Sequence, residues 1–508
     1  LGGVSFGADG VDGGSGTVAL ITVGAGADPL TDDTKVHDTD LELYRSWRWE
    51  PSVEGSFSYQ SVTVRPGTEV VAGDGDVMVS AGTFTMDAAS WDTTVSSSNG
   101  TTASGSVSLE VTTLGLTDST LVADSSSHDW SIAVSSSSHI SGGSISGRNV
   151  TFTGTGDLAF ENSMQLTAEK TELAGNSLSQ DATTVFSTDG GGYASNLGFE
   201  FGAGGASNSA AGGGGGHGGD GGAGGGAIAG SGGLSNDIEL FPVAPGSGGG
   251  SGRNALGGSG GGVIHFAIGG DCLLDGTLSA NGAAGVDHIN GGAGGGGAGG
   301  TIRLACDTLA GAGVLRADGG GGGEDSLNNG SLNNQGNGSG GGGGRIAVHF
   351  DDSTFSNQAG ISVAGGLGGG SFGADGTDGA VGTIFFESLP STSWVVSGTA
   401  QGGQITFEIL GISLQVTTTA GQSAEQVAAA IAAAILAEPG LAGIEATVTG
   451  PTIIVPAPMT VPFSSDPGVQ IELVSAVPAL SPPAATLLGL GLLVAGFSAL
   501  SRRGRRRG

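Results

Sequence analysis

Lysine is almost missing from this chain: Lys35 and Lys170 are the only two, and five of the 15 basic residues fall in the last seven positions. The first 500 residues therefore set 47 acids against 10 bases, for a net charge of −32 overall. No basic patch is present to neutralise phosphates, which excludes nucleic-acid binding. Aromatic residues make up only 5% of the chain, too few to fill a thick globular core. Cysteine is limited to Cys272 and Cys306, without the C-x-x-C spacing of a metal site. Cys306 reads as a small buried hydrophobe in the column of Ile268 and Phe350, and Cys272 as a turn residue. Proline is scarce and the glycines have no strict period of three, which excludes collagen. The seven histidines are widely separated, and His265, Arg303 and Ala347 share one outward column, which speaks against a metal ladder.

What the chain does have is glycine, 107 residues of it, arranged around a phrase that returns four times. A strand-like run opens at Val263-Ile264-His265-Phe266, at Thr301-Ile302-Arg303-Leu304, at Arg345-Ile346-Ala347-Val348 and at Thr383-Ile384-Phe385-Phe386. The isoleucines are 38, 44 and 38 residues apart, and period-two alternation points them to one face. A second short strand follows each of the first three copies, at Leu278, Leu315 and Ile361. No single copy can bury its apolar face alone, so neighbours must stack. The expected fold is mainly β: a parallel β-helix solenoid with glycine-rich loops. The glycine runs are either flexible loops or extended strands packed where only hydrogen fits.

Taken in order, residues 1–27 read as the last rung of an upstream module. Leu1 to Gly13 reappears almost unchanged at Leu367 to Gly379, an offset of 366 residues. Residues 28–56 form an acidic and aromatic junction. Asp28, Asp32, Asp33, Asp38, Asp40 and Glu42 crowd together there, either as a solvated linker or as oxygen ligands for calcium. Tyr44, Trp47, Trp49, Phe57 and Tyr59 follow, as a cap on an open end or as a platform for sugars. Residues 57–201 are a Ser/Thr-rich series of short alternating strands without intervening helices. Residues 202–390 hold the glycine-rich repeats. In 391–460, alternating strands flank an Ala-rich helix opened by the capping box Ser423 to Gln426, a ββαββ unit. Residues 461–483 are a linker, and 484–508 an apolar run followed by arginines. That run, Ala484 to Leu500, would span about 26 Å as a helix, the short end of what crosses a bilayer. The flanking arginines orient such a transmembrane helix with its C-terminus in the cytoplasm.

The tail is the most specific signal. Val477-Pro478-Ala479-Leu480, the apolar run, and Arg502, Arg503, Arg505, Arg506 and Arg507 follow one another in the order of bacterial C-terminal sorting signals. They resemble the PEP-CTERM type, and most closely its variant beginning Ile-Pro-Thr-Leu. That resemblance implies export across the inner membrane of a Gram-negative-type bacterium, a membrane-embedded sorting peptidase as partner, and a cell-surface or extracellular destination. The glycine phrases resemble those of glycine-rich, parallel β-helical surface proteins of Gram-negative bacteria, and the ββαββ unit a small domain of large bacterial surface and phage-tail-like proteins. These likenesses imply a non-catalytic structural or adhesin-like role, with an extracellular polysaccharide or cell-surface partner. The alternative is a polysaccharide lyase or hydrolase on the same scaffold. Such an enzyme needs carboxylates and a base converging on one groove, and no recurring constellation of that kind is present.

Overall fold

Runs such as Val107-Ser108-Leu109-Glu110-Val111 put every second side chain on one face. In the computed structural model they become parallel strands with that face buried. The structure describes residues 18–23, 39–44, 46–49, 56–72, 76–93, 106–123, 128–205, 210–226, 228–289, 291–325, 336–371, 374–387, 392–409, 412–438, 446–455 and 463–476. Two units are present, 1–387 and 388–508.

In the first unit the strands form three parallel ladders around one interior. Ile132, Phe152, Leu173, Phe266, Leu304 and Val348 pair in sequence along the first. Leu116, Ile140, Phe160, Gln180 and Leu274 do so along the second. Trp91, Leu121, Ile145, Leu166, Phe186, Leu278 and Leu315 line the third. The repeated isoleucines Ile264, Ile302, Ile346 and Ile384 are also paired in register, the first three fully buried.

Several strands are long enough to turn a corner and serve two ladders. Asp129–Ser141 is one, and Thr301–Ala310 another. Through them the pairing closes on itself. Asp129–Ser141, Asp157–Glu161, Leu178–Gln180, Asp271–Leu274, Thr301–Ala310, Val263–Ile268, Gln165–Gly175 and Ser144–Gly154 form a circuit of eight parallel strands that returns to its start. This closed parallel barrel corrects the expected parallel β-helix solenoid. The sequence repeat marks which residues stack, whereas the lateral joining of ladders by bent strands is marked only by local breaks in the alternation. Phe152, Phe160, Phe186 and Phe266, drawn from all three ladders, meet edge to face across the interior with centroids 5.0 to 5.9 Å apart.

The glycine runs are not loops. From the third ladder the chain leaves along 280–288, 317–325 and 363–370. It returns to the first ladder along 292–300, 336–344 and 374–382. Residues 188–262 make a longer excursion of the same kind. Backbone hydrogen bonds within this layer have a period of three. The N–H groups of Gly294, Gly297 and Gly300 donate to Val286, Ala283 and Ala280, those of Gly295 and Ala298 to Gly250 and Ser247, and those of Gly296 and Gly299 to Ser339 and Gly342. The same segment accepts from Gly320 and Gly323, from Gly258 and Gly261, and from Gly212 and Gly215. It thus has six neighbours. Segment 336–344 is surrounded in the same way, bonding to 210–216, 218–225, 292–300, 317–325, 363–370 and 374–382. Three residues per turn is the polyproline II repeat, which has no internal hydrogen bonds and must find them between chains. The glycine layer is a lattice of such helices.

In the second unit the ββαββ order is present as Gly403–Ile409, Ile412–Thr418, the helix, Thr447–Thr449 and Thr452–Val455, with Thr392–Gly398, Phe463–Ser464 and Val469–Ala476 added to it. Thr447–Thr449, Thr452–Val455, Thr392–Gly398 and Val469–Ala476 form one antiparallel sheet. Ile412–Thr418, Gly403–Ile409 and Phe463–Ser464 form a second. The helix α1, Ala424–Leu436, has the expected capping box at Ser423 and Gln426 and buries Val427, Ile431 and Ile435. Among the described residues no helix is long and apolar enough to cross a membrane. The expected transmembrane anchor is therefore no part of the fold described, and Ala484 to Leu500 lies outside the described residues.

Candidate functional site

A strand that must bend from the first ladder to the second needs a break in its alternation. Two successive polar or small residues supply it, as at Thr112-Thr113 and Ser135-Ser136. Gly82 and Gly154 occupy the same corner. A Cβ on Gly82 would lie 2.7 Å from the Gln60 carbonyl oxygen, and Gly154 adopts φ +142°. Outside this corner runs a shallow groove of about 580 Å³, crossing five successive turns of the chain. Its walls carry Ser58, Ser80, Thr112, Ser135 and Thr155, with Tyr59 at one end and Glu110 near the middle. The hydroxyls of Ser135 and Thr155 donate to the carbonyls of Val111 and Ser135 at 3.5 and 3.0 Å, and Ser80 Oγ lies 3.5 Å from Glu110. Among the described residues lining the groove, Glu110 is the one carboxylate and no base accompanies it. The Ser/Thr doublets were the signal in the sequence that could have located this corner.

A second cluster lies between the barrel and the glycine lattice. The sequence separates its members widely, and the structure collects them under segment 236–244. His265, Arg303 and Ala347 share an outward column, as the alternation requires. Arg345 donates twice to the Asn236 carbonyl and once to Thr383 Oγ1, and His349 Nε2 lies 2.8 Å from the Leu240 carbonyl. The Phe241 ring stacks on His349 at 4.8 Å and lies 6.0 Å from the Arg303 guanidinium. Asp237, at φ +70°, accepts from the N–H groups of Ile238, Val243 and Ala244 and stands 3.5 Å from the buried His217.

Burial pushes His349 down to about 4 and Arg303 down to about 10. Burial works against ionised Asp237, but His217 and the three N–H groups still hold it below the usual carboxylate range. His265 beside Glu172 holds that carboxyl at about 2. Thr301, a second hydroxyl of this region beside Thr383, is committed to the Ala244 carbonyl at 2.7 Å. The arrangement clamps a strap onto the barrel.

Of the acidic junction, Asp40 and Glu42 lie on the strand Thr39–Tyr44. Asp40 accepts from Ser61 Oγ, and Glu42 pairs with Arg65. Asp28, Asp32, Asp33 and Asp38 lie outside the described residues, as do Val477, Pro478, Ala479, Leu480 and all five terminal arginines. Among the described residues no group of three or more His, Cys, Asp or Glu is placed to hold a metal. Cys272 is not in a turn: it sits on Asp271–Leu274, buried and paired with Leu178 and Leu309. Its contact with Cys306, together with burial, keeps the thiol protonated, and both cysteines are free. No protein-family model, curated protein or solved structure matches this chain.

Proposed function

We propose that the chain is a non-catalytic surface protein, structural or adhesin-like, exported and matured through its C-terminal tail. The observation that carries this reading is the glycine lattice. At most of its interior glycines a Cβ would overlap a neighbouring carbonyl, so whatever the lattice recognises must be met by its perimeter, and the perimeter is held by a continuous hydrogen-bond network. That perimeter displays Leu197, Phe199, Phe201, Leu234, Leu256 and Leu367, all exposed. Large exposed apolar side chains of this kind mark interaction surfaces. The enzymatic alternative finds less support, because among the described residues the groove offers Glu110 without a partner acid or base.

The tail supplies the route. Val477-Pro478-Ala479-Leu480, the apolar run and the arginines would be read by a sorting peptidase. Replacing the five arginines with serine, and separately Pro478 with alanine, should abolish surface display in the first case and proteolytic maturation in the second. Cell fractionation and mass spectrometry of the mature terminus would report both. Normal display and normal maturation of both variants would sink the sorting claim.

A further inference from the structure

The groove at the first corner has features of a site for an extended polymer. It crosses five turns of the chain along the stacking axis. With parallel strands about 4.8 Å apart, four spacings make it about 19 Å long. The corner hydroxyls of Thr112, Ser135 and Thr155 come from successive turns of the chain. The backbone offers a ligand little. Strand N–H and C=O groups here point along the same axis and are paired between turns, so a peptide could not add as a strand. Recognition falls on side chains: a row of hydroxyls and one carboxylate. The floor is kept low by Gly82, Ala133 and Gly154.

We infer that this groove binds a neutral polysaccharide strand laid along the stacking axis, an inference that rests on the surface-protein reading above. Hydroxyl walls match a ligand bearing hydroxyls at every unit. Among the described residues the lining holds no cation, and the acid excess of the chain repels polyanions. An uncharged, hydroxyl-bearing chain suits a lining made mainly of hydroxyls.

Calorimetric titration of the intact chain with neutral glucan, mannan and xylan oligosaccharides, and with uronic-acid oligosaccharides of matching length, tests this. At least one neutral series should bind, more tightly as length grows to span the groove, and with little dependence on salt. Ala133 faces outward, so Ala133→Trp fills the floor without entering the core, and it should weaken binding about tenfold or more. Glu110→Gln should weaken it less, and a thermal melt would confirm that both variants fold. Binding by no neutral series, equal binding by Ala133→Trp, or preference for the uronic-acid chains would overturn the inference. Each of these leaves the tail variants' localisation untouched, so failure here is separable from failure of the sorting claim.

Discussion

One added methyl group separates two kinds of glycine in this chain. A Cβ on Gly297 would sit 2.0 Å from the Ser259 carbonyl oxygen, which belongs to a neighbouring lattice segment and has no room to withdraw. A Cβ on Gly321 would meet only the Leu367 carbonyl, at 3.7 Å. Gly297→Ala should therefore cost more than about 3 kcal/mol, as forced overlap in a tight interior does. Gly321→Ala should be neutral or stabilising by up to about 1 kcal/mol, because it restricts the unfolded chain at no native cost. Urea denaturation of the two variants decides, and equal effects would mean that the lattice is looser than described. The acids have a residue-scale role as well. Where a lattice segment lacks a neighbour, an Asp or Asn side chain supplies the acceptor. Asp189 takes the N–H of Asn281, Asn281 that of Asp318, and Asp318 that of Ala364, at 2.6 to 2.8 Å. Asp287 and Asp378 do the same for Glu324 and Gly368. Part of the negative charge is thus edge capping, which also blunts open hydrogen-bonding edges against association.

Among elements, the segments 292–300 and 336–344 are neither helix nor strand, yet each is bonded on six sides. Their amide hydrogens should exchange as slowly as those of the barrel strands. Hydrogen exchange read by mass spectrometry checks this, and rapid exchange would return these segments to the status of loops. The strap 236–244 gives a second expectation. His349 is buried beside Arg303 and under Phe241, with Arg345, Asp237 and His217 in the same cluster, and its folded pKa of about 4 lies below the unfolded value near 6.5. Between those values the unfolded chain binds more protons, so stability falls as pH drops from about 6.5 to 4, by about 3 kcal/mol at most. Proteolysis within the strap should rise over that window, and His349→Phe should flatten the dependence. These elements differ in how legible they were. Alternation exposed the isoleucine columns because a strand side chain has only two faces to choose between. Glycine carries no side chain, so a three-residue hydrogen-bond period left no mark in its sequence. The strap was illegible for a different reason: His217, Asp237, Arg303 and His349 meet only after the barrel and the lattice have folded.

At the scale of the whole molecule, two units with separate cores predict two separable acid transitions. The second unit is fastened by Asp466, a buried residue whose carboxylate accepts from Thr418 Oγ1 at 2.6 Å. It also accepts from the N–H groups of Gln401, Gly402 and Gly468 at 2.8 to 3.2 Å. The Thr418 hydroxyl above all, then these N–H groups, outweigh burial and hold the carboxyl down to about 2 from its ordinary 3.8. A depressed carboxylate contributes stability that is complete above the unfolded value and lost as pH falls through the folded one. The second unit should therefore hold to about pH 4 and give way between 4 and 2, below the window in which the strap loosens. Trp394 is the one tryptophan of 388–508 and is buried, whereas Trp91 and Trp130 lie in the barrel interior. Comparing the parent with Trp394→Phe in an acid titration isolates the second unit's fluorescence change. Thr418→Val removes the strongest donor at nearly constant volume, so the second unit's midpoint should move to higher pH while the barrel's stays in place. A single transition shared by both sets of tryptophans, or a Thr418→Val midpoint equal to the parent's, would contradict the role assigned to Asp466.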